Sequence, residues 1–216
     1  MITAHYIPPP PLSEFIKGFW YWDGYIQPHA KERLLPDGSM TMVFNLGQDR
    51  IGLLDAERPG KIQSRPAQLI SGAHSTSFTV ETCDMVTTLG VQFKPGGAFP
   101  FLGMPAGELA EQHISLEDVF GPAVREVRWR LLEVSAPKRK FRILEQWLLA
   151  RLARPLQRHP AVEYALAQLE PTPAGTTVAS VVDRVGFSQR QFIAMFTPES
   201  YLLHRTAHLN HLPLVA

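Results

Sequence analysis

The chain has a single cysteine and no long apolar run, and both absences limit what it can be. Cys83 has no second cysteine to pair with, which excludes an internal disulfide and any metal site built from several thiolates. No stretch approaches the roughly 18 consecutive apolar residues of a membrane-spanning helix. The first residues, MITAHYIPPPPL, lack the basic start and apolar core of a secretion signal. We therefore expect a cytoplasmic protein with no membrane partner.

A strong net charge is also missing, although the charges are unevenly distributed. Residues 1–124 carry 8 Lys and Arg against 13 Asp and Glu, residues 125–155 carry 9 against 3, and residues 156–216 carry 4 of each. The basic block can contact a phosphate backbone, or it can form a solvated helix face. The balanced C-terminal segment predicts only weak nonspecific attraction to nucleic acid.

Residues 1–104 have the composition of a β-rich domain. Alternating or β-branched and aromatic segments predict strands at 15–22, 40–46, 68–71, 77–82 and 87–93, with turn sequences at 36–38 and 94–97. Short strands at such spacing favour a barrel or a sandwich. The aromatic side chains of these strands either pack in the core or line a ligand pocket. We name four candidate pocket residues: Trp20, Trp22, Phe44 and Phe93.

Residues 105–155 predict amphipathic helices. Ser115 is suited to cap a helix that continues with acidic residues, Pro122 can open the next helix, and 138–153 repeats apolar residues with arginines opposite. We expect these apolar faces to pack on the β domain. Pro155 and Pro160 then mark a boundary, so we divide the chain into 1–104, 105–155 and 156–216.

The stretch TVASVVDRVGFSQRQFIAMF, residues 177–196, predicts two short helices joined by a tight turn. Gly186 can take the positive φ of the turn and Ser188 can cap the second helix. Phe192 and Phe196, four residues apart, form the apolar face of that helix, which leaves Gln189, Arg190 and Gln191 exposed. Arginine pairs with guanine and glutamine with adenine in the DNA major groove. The alternative is an ordinary helical hairpin with a polar corner.

The pattern Val-Gly-Phe-Ser-x-Arg-x-Phe-x-x-x-Phe from Val185 to Phe196 resembles the first helix-turn-helix of AraC-type transcription regulators. The resemblance implies that Gly186 and Phe187 form the turn and that Phe192 and Phe196 anchor the core. It implies DNA contacts from a set at the start of each helix: Thr177, Ser188, Gln189, Arg190 and Gln191. The family has a second such motif, whereas the twenty residues after Phe196 contain none. We therefore expect a partial DNA-binding unit.

The segments LPDGSMTMVFNLG (35–47) and GVQFKPGGAFPFLG (90–103) are similar to the cupin-like sensor domains that precede AraC-type heads. This resemblance implies a module that binds a small molecule or forms dimers, and it implies that one of the helices in residues 105–155 mediates dimerisation. Cupin metal sites use closely spaced histidines, but His29 and His74 are isolated and residues 1–104 contain no His-x-His. We accordingly expect no metal, no cofactor and no enzymatic activity.

The sequence as a whole predicts an α+β protein in three parts. A β-rich cupin-like barrel or sandwich is followed by an all-α connector and a partial helix-turn-helix domain. The predicted function is sequence-specific DNA binding and transcription regulation by a homodimer that responds to a small-molecule effector. The alternative function is a sensor or interaction module that no longer binds DNA and that binds a ligand or pairs with an intact relative.

Overall fold

The first half of the chain is built from short β-strands. The computed structural model describes residues 1–24, 26, 28–54, 58, 60–169, 182–184, 186–188, 190–192, 194 and 196. Its strands are β1 (Ile2–Tyr6), β2 (Ile16–Asp23), β3 (Lys31–Leu34), β4 (Thr41–Asn45), β5 (Arg50–Leu54), β6 (Ile62–Pro66), β7 (Gln68–Ser71), β8 (Phe78–Glu81), β9 (Thr88–Phe93) and β10 (His113–Ser115).

These strands form two antiparallel sheets that face each other as a sandwich. One sheet has six strands in the order β1-β2-β9-β4-β7-β10, and the other has four in the order β3-β8-β5-β6. The five strands predicted from the sequence correspond to β2, β4, β7, β8 and β9. The predicted α+β class with a β-rich N-terminal domain is therefore confirmed.

The two faces of the six-stranded sheet are used differently because side chains alternate along each strand. On β2, Phe19 and Tyr21 are buried on the helix side, while Trp20 and Trp22 point between the two sheets. Strands β4 and β9 follow the same rule and contribute further core residues on the helix side: Met42, Phe44, Leu89, Val91 and Phe93. The apolar core thus lies between this sheet and the helices.

The helices of the described chain follow β10. They are α1 (Leu116–Phe120), α2 (Ala123–Glu133), α3 (Pro137–Leu149) and α4 (Pro160–Leu169). The predicted cap at Ser115 is formed, since its side chain accepts a hydrogen bond from the Glu117 backbone N–H. Short 3₁₀ helices lie at Leu12–Glu14, Phe99–Phe101 and Ala106–Leu109.

Helices α2 and α3 share one core with the six-stranded sheet. Val127 and Leu131 of α2 and Leu144 of α3 are buried in it. The Phe141 ring of α3 lies 6.2 Å from the Phe19 ring of β2, measured between centroids. The apolar faces of these two helices therefore cover the sandwich. Trp129 and Leu132, on another face of α2, remain exposed.

A second, separate core lies in the C-terminal segment. It joins buried residues of α4 to residues of the predicted motif: Val162, Ala165, Leu166, Val182, Phe192 and Phe196. Tyr164 and Phe187 pack against it. No helix in the described part of the chain combines the length and the apolar character needed to cross a bilayer.

Candidate functional site

A cavity of about 580 Å³ lies between the two sheets. Trp20 and Trp22 line it, as proposed from the sequence. Phe44 and Phe93 do not line it. Both are fully buried in the core on the opposite face of the sheet, because their positions on β4 and β9 have the parity that faces the helices. The exposed residues Ile7 and Lys17 border the cavity and mark its opening to solvent.

The six-stranded sheet forms the floor of the cavity, and this floor is flat where the Trp20 ring of β2 crosses β9. Trp20 is paired with Gly90 in the β2–β9 register, and a Cβ at position 90 would overlap the indole ring. The Trp20 and Trp22 ring centroids are 4.5 Å apart with a tilt of 35°. Only a glycine at position 90 lets the indole lie directly on the backbone of β9.

Four polar residues of the floor form a single row across four neighbouring strands. His113 on β10 is paired with Ser71 on β7, Ser71 with Thr41 on β4, and Thr41 with Gln92 on β9. All four line the cavity. The Gln92 Nε2 donates to Asp37 Oδ2 at 3.2 Å, which orients the amide. We call this set the polar row.

An apolar row runs beside the polar row, two residues further along each strand. Leu69 on β7 is paired with Val43 on β4, and Val43 with Gly90 on β9. The Trp20 ring of β2 lies over Gly90. The four-stranded sheet forms the roof of the cavity with mainly apolar side chains: Leu34, Ile51, Leu53, Phe78 and Val80. In the interior of the cavity the hydrogen-bonding side chains of the floor therefore lie along one side, while the other polar residues of the floor, His5 of β1 and Lys17 of β2, are exposed.

A histidine pair closes one end of the polar row. The His74 and His113 rings stack with centroids 4.6 Å apart, and Phe78 packs edge-on against His113 at 4.5 Å. Burial, together with the charges of His74 and Arg65, lowers the pKa of His113 to about 4. Burial also lowers the pKa of His74, although Glu111, whose carboxylate lies 3.4 Å from His74 Nδ1, acts in the opposite direction. Both rings are therefore neutral at neutral pH.

Within the residues that the structure describes, no cluster of three His, Cys, Asp or Glu side chains has the arrangement of a metal site. In that same part of the chain, His113 Nδ1 and His74 Nε2 have no hydrogen-bond partner. Both atoms are buried, and His74 does not line the cavity.

The predicted turn in the C-terminal segment has the local geometry of a capped helix start. Gly186 has a φ of +72°, in the left-handed region that glycine tolerates best. The Gln191 backbone N–H donates to Ser188 Oγ at 3.3 Å, and the Gln191 side-chain oxygen accepts from the Ser188 backbone N–H at 3.1 Å and from its hydroxyl at 2.8 Å. This reciprocal pair is a capping box.

The capping box gives Gln191 a structural role at the helix start, whereas the sequence placed it among the DNA-contacting residues. Its side chain is engaged at the helix start, whereas the Arg190 side chain is exposed. Phe192 and Phe196 are fully buried, with their rings 5.3 Å apart, and Phe187 lies against His159. Thr177, Gln189 and residues 197–216 lie outside the described residues.

Sequence reasoning did not find the polar row. Its four members are far apart in the chain, and each is an ordinary strand residue. Only the pairing register, which is a property of the assembled sheet, brings them side by side. Gly90 itself gave a weak indication, since an isolated glycine within a strand often marks the close approach of another group to the backbone.

The sandwich, its internal cavity and the helices that follow fit a cupin-like domain. A family model described as a domain of unknown function, DUF6597, matches residues 4–115, which end at the last residue of β10. The match covers more than half of the chain, so the chain belongs to this family. No curated protein and no solved structure is significantly similar to the chain.

Proposed function

We propose that this protein is an effector-responsive DNA-binding transcription regulator of AraC type. The observation that carries the proposal is the capped turn at Gly186 and Ser188, which starts a helix with Arg190 exposed and Phe192 buried. Helix-turn-helix proteins read base edges with the first residues of such a helix. The resemblance of residues 185–196 to the AraC-type motif supports the same function.

Arg190 is the residue to which the proposal assigns base reading. Its guanidinium can donate two parallel hydrogen bonds to a guanine edge. The buried Phe192 and Phe196 fix the helix on α4 through the second core, so Arg190 is presented from a supported element. The resemblance assigns Ser188 to the phosphate backbone, and the structure bonds its N–H and hydroxyl to Gln191 at the helix start.

The cavity supplies the effector site in this proposal, and no catalytic step is assigned to it. The proposal includes a homodimer, because a single helix makes too few contacts for tight specific binding and a second copy adds a second half-site. The exposed Trp129 and Leu132 of α2 are the surface that supports pairing of two copies. Such a regulator acts in the cytoplasm, where its DNA is.

A salt titration tests the proposal. The purified chain is bound to a fluorescent duplex from its own upstream region, and the affinity is compared with that of Arg190→Ala. We expect Arg190→Ala to weaken binding by roughly 5- to 160-fold, because one bidentate contact is worth about 1–3 kcal/mol. Arg130→Ala, which removes an exposed arginine of α2, is the matched control and should change the affinity much less. Equal losses of affinity in the two variants would mean that Arg190 contributes only nonspecific electrostatic attraction.

The second candidate function is a sensor module that binds a ligand without binding DNA. It is favoured by two observations: the cavity lies wholly in the family-matched region, and residues 156–216 carry no net charge. In this case neither the wild type nor Arg190→Ala would bind the duplex above the nonspecific level, which lies at roughly 10⁻⁴ to 10⁻⁶ M.

A further inference from the structure

We propose that the cavity binds a neutral, flat aromatic molecule that carries its hydrogen-bonding groups along one edge. This inference rests on the effector site of the proposed function and adds the chemical class of the effector. It follows from the shape of the space, from the arrangement of its polar residues and from its charge.

The shape of the cavity selects a flat ligand. The floor is planar at Gly90, because the Trp20 indole lies on bare backbone there. The roof presents Leu53, Phe78 and Val80 from the facing sheet. A ring system between these two surfaces buries both of its faces on apolar groups and stacks on an indole, which aromatic pairs favour.

The polar row selects hydrogen-bonding groups on one edge of the ligand. Neighbouring strands are about 4.8 Å apart, so Thr41, Ser71 and His113 present polar side chains at regular intervals along one line. The adjacent row is apolar at Leu69 and Val43, and its polar member, His5, lies exposed on the edge strand β1. A ligand with polar groups on opposite edges would therefore leave one group buried without a partner, which is costly.

The charge of the cavity selects a neutral ligand. The polar row contains no acidic or permanently basic side chain, and His113 is held neutral by burial. The charged lining residues Lys17 and Glu32 have opposite signs, and Lys17 is exposed at the opening. A carboxylate carried deep into the cavity would lack a cation to compensate for its desolvation.

A series of naphthalenes tests the three features together, with binding measured by titration calorimetry at neutral pH. The probes are naphthalene, a naphthalenediol with both hydroxyl groups on one edge, the isomer with hydroxyl groups on opposite edges, and naphthoate. We expect the one-edge diol to bind most tightly, by roughly two- to tenfold over naphthalene for each hydrogen bond formed. The opposite-edge isomer and naphthoate should bind more weakly than the one-edge diol.

Isosteric variants locate the binding. Thr41→Val removes a hydroxyl from the polar row with little change of shape, so it should abolish the preference for the one-edge diol and keep the affinity for naphthalene. Ser71→Ala should act in the same way, and it serves if Thr41→Val fails to fold. Thr79→Val makes the same change on β8 at a position that does not line the cavity, and it should change nothing.

Three results would overturn the inference: equal binding of the two diols, tightest binding of naphthoate, or no binding of any probe. The proposed function is tested separately, by the duplex titration with Arg190→Ala. If the one-edge diol binds and the duplex does not, the ligand class stands and the DNA-binding function fails. If the duplex binds through Arg190 and the two diols bind equally, the DNA-binding function stands and the ligand class fails.

Discussion

At the scale of single residues, Gly90 explains more of the cavity than any large side chain does. It lies in the middle of β9, where glycine weakens a strand. The absence of a side chain lets Trp20 lie flat on the sheet, so an indole face rather than an edge lines the cavity. A small residue in the sheet thus sets the orientation of the aromatic surface that a ligand meets.

His113 makes stability depend on pH. Its pKa is about 4 in the folded chain against 6.5 for the ordinary group, so the unfolded chain binds more protons between these values. The free energy of unfolding should therefore be highest above pH 6.5 and fall as the pH drops toward 4, by up to about 3 kcal/mol. His74, whose pKa burial also lowers, adds to the fall. Urea unfolding at a series of pH values measures it.

The variant His113→Asn isolates this contribution. It removes the titrating ring, so its unfolding free energy should change less between pH 6.5 and 4 than that of the wild type. His29→Asn makes the same substitution at an exposed position and controls for the change itself. A pH dependence identical in His113→Asn and the wild type would rule out this account of the histidine.

At the scale of elements, α3 belongs to the sandwich and α4 to the motif. Phe141 of α3 lies among Tyr6 and Phe19 of the six-stranded sheet, with ring centroids 5.8 and 6.2 Å away. Lys140 lies beside it with its ammonium 5.3 Å from the Tyr21 ring centroid, and burial lowers its pKa. The residues of α4 pack instead with Phe192 and Phe196.

Two truncations should separate these elements. Phe141→Ala should lower the stability of the sandwich by about 3–5 kcal/mol, because it leaves a cavity in the first core. Phe192→Ala should loosen only α4 and the motif. Segment-by-segment hydrogen exchange measures both, with the exposed Arg142→Ala as a control on α3. A loss of protection in β2 and β9 caused by Phe192→Ala would contradict the division into two cores.

The sequence predicted those elements whose own residues determine them. β2 and β9 are long and apolar, and α1 begins at a capping serine, so each was found. β3 and β6 are short and mostly exposed, and β10 has three residues, so pairing with a neighbour rather than composition makes them strands.

The candidate site was predicted in part for a similar reason. The alternation along β2 is visible in its sequence, but alternation alone does not say which face meets the helices. Trp20 and Trp22 face the cavity, whereas Phe44 and Phe93 face the helices, a difference set by the pairing of β4 and β9. The turn at Gly186 and Ser188, in contrast, is local, so its residues could be named from order and spacing alone.

At the scale of the whole molecule, the proposed regulator binds its effector and its DNA through different parts of the chain. The sandwich holds the cavity and its own core, and the C-terminal segment holds Arg190 on a second core. An effector can alter DNA binding only if it has different affinities for two states of the protein. If an effector does so, the same linkage requires bound DNA to change the affinity of the cavity for that effector.

Selection from a random duplex pool tests the central claim, sequence reading by Arg190, most directly. The wild type should enrich one motif that contains a guanine, and a dimer should enrich two copies of it at a fixed spacing. Arg190→Ala should lose the preference for that guanine, and Arg130→Ala should keep it. Enrichment of the same motif by Arg190→Ala, or of no motif by the wild type, would contradict the account.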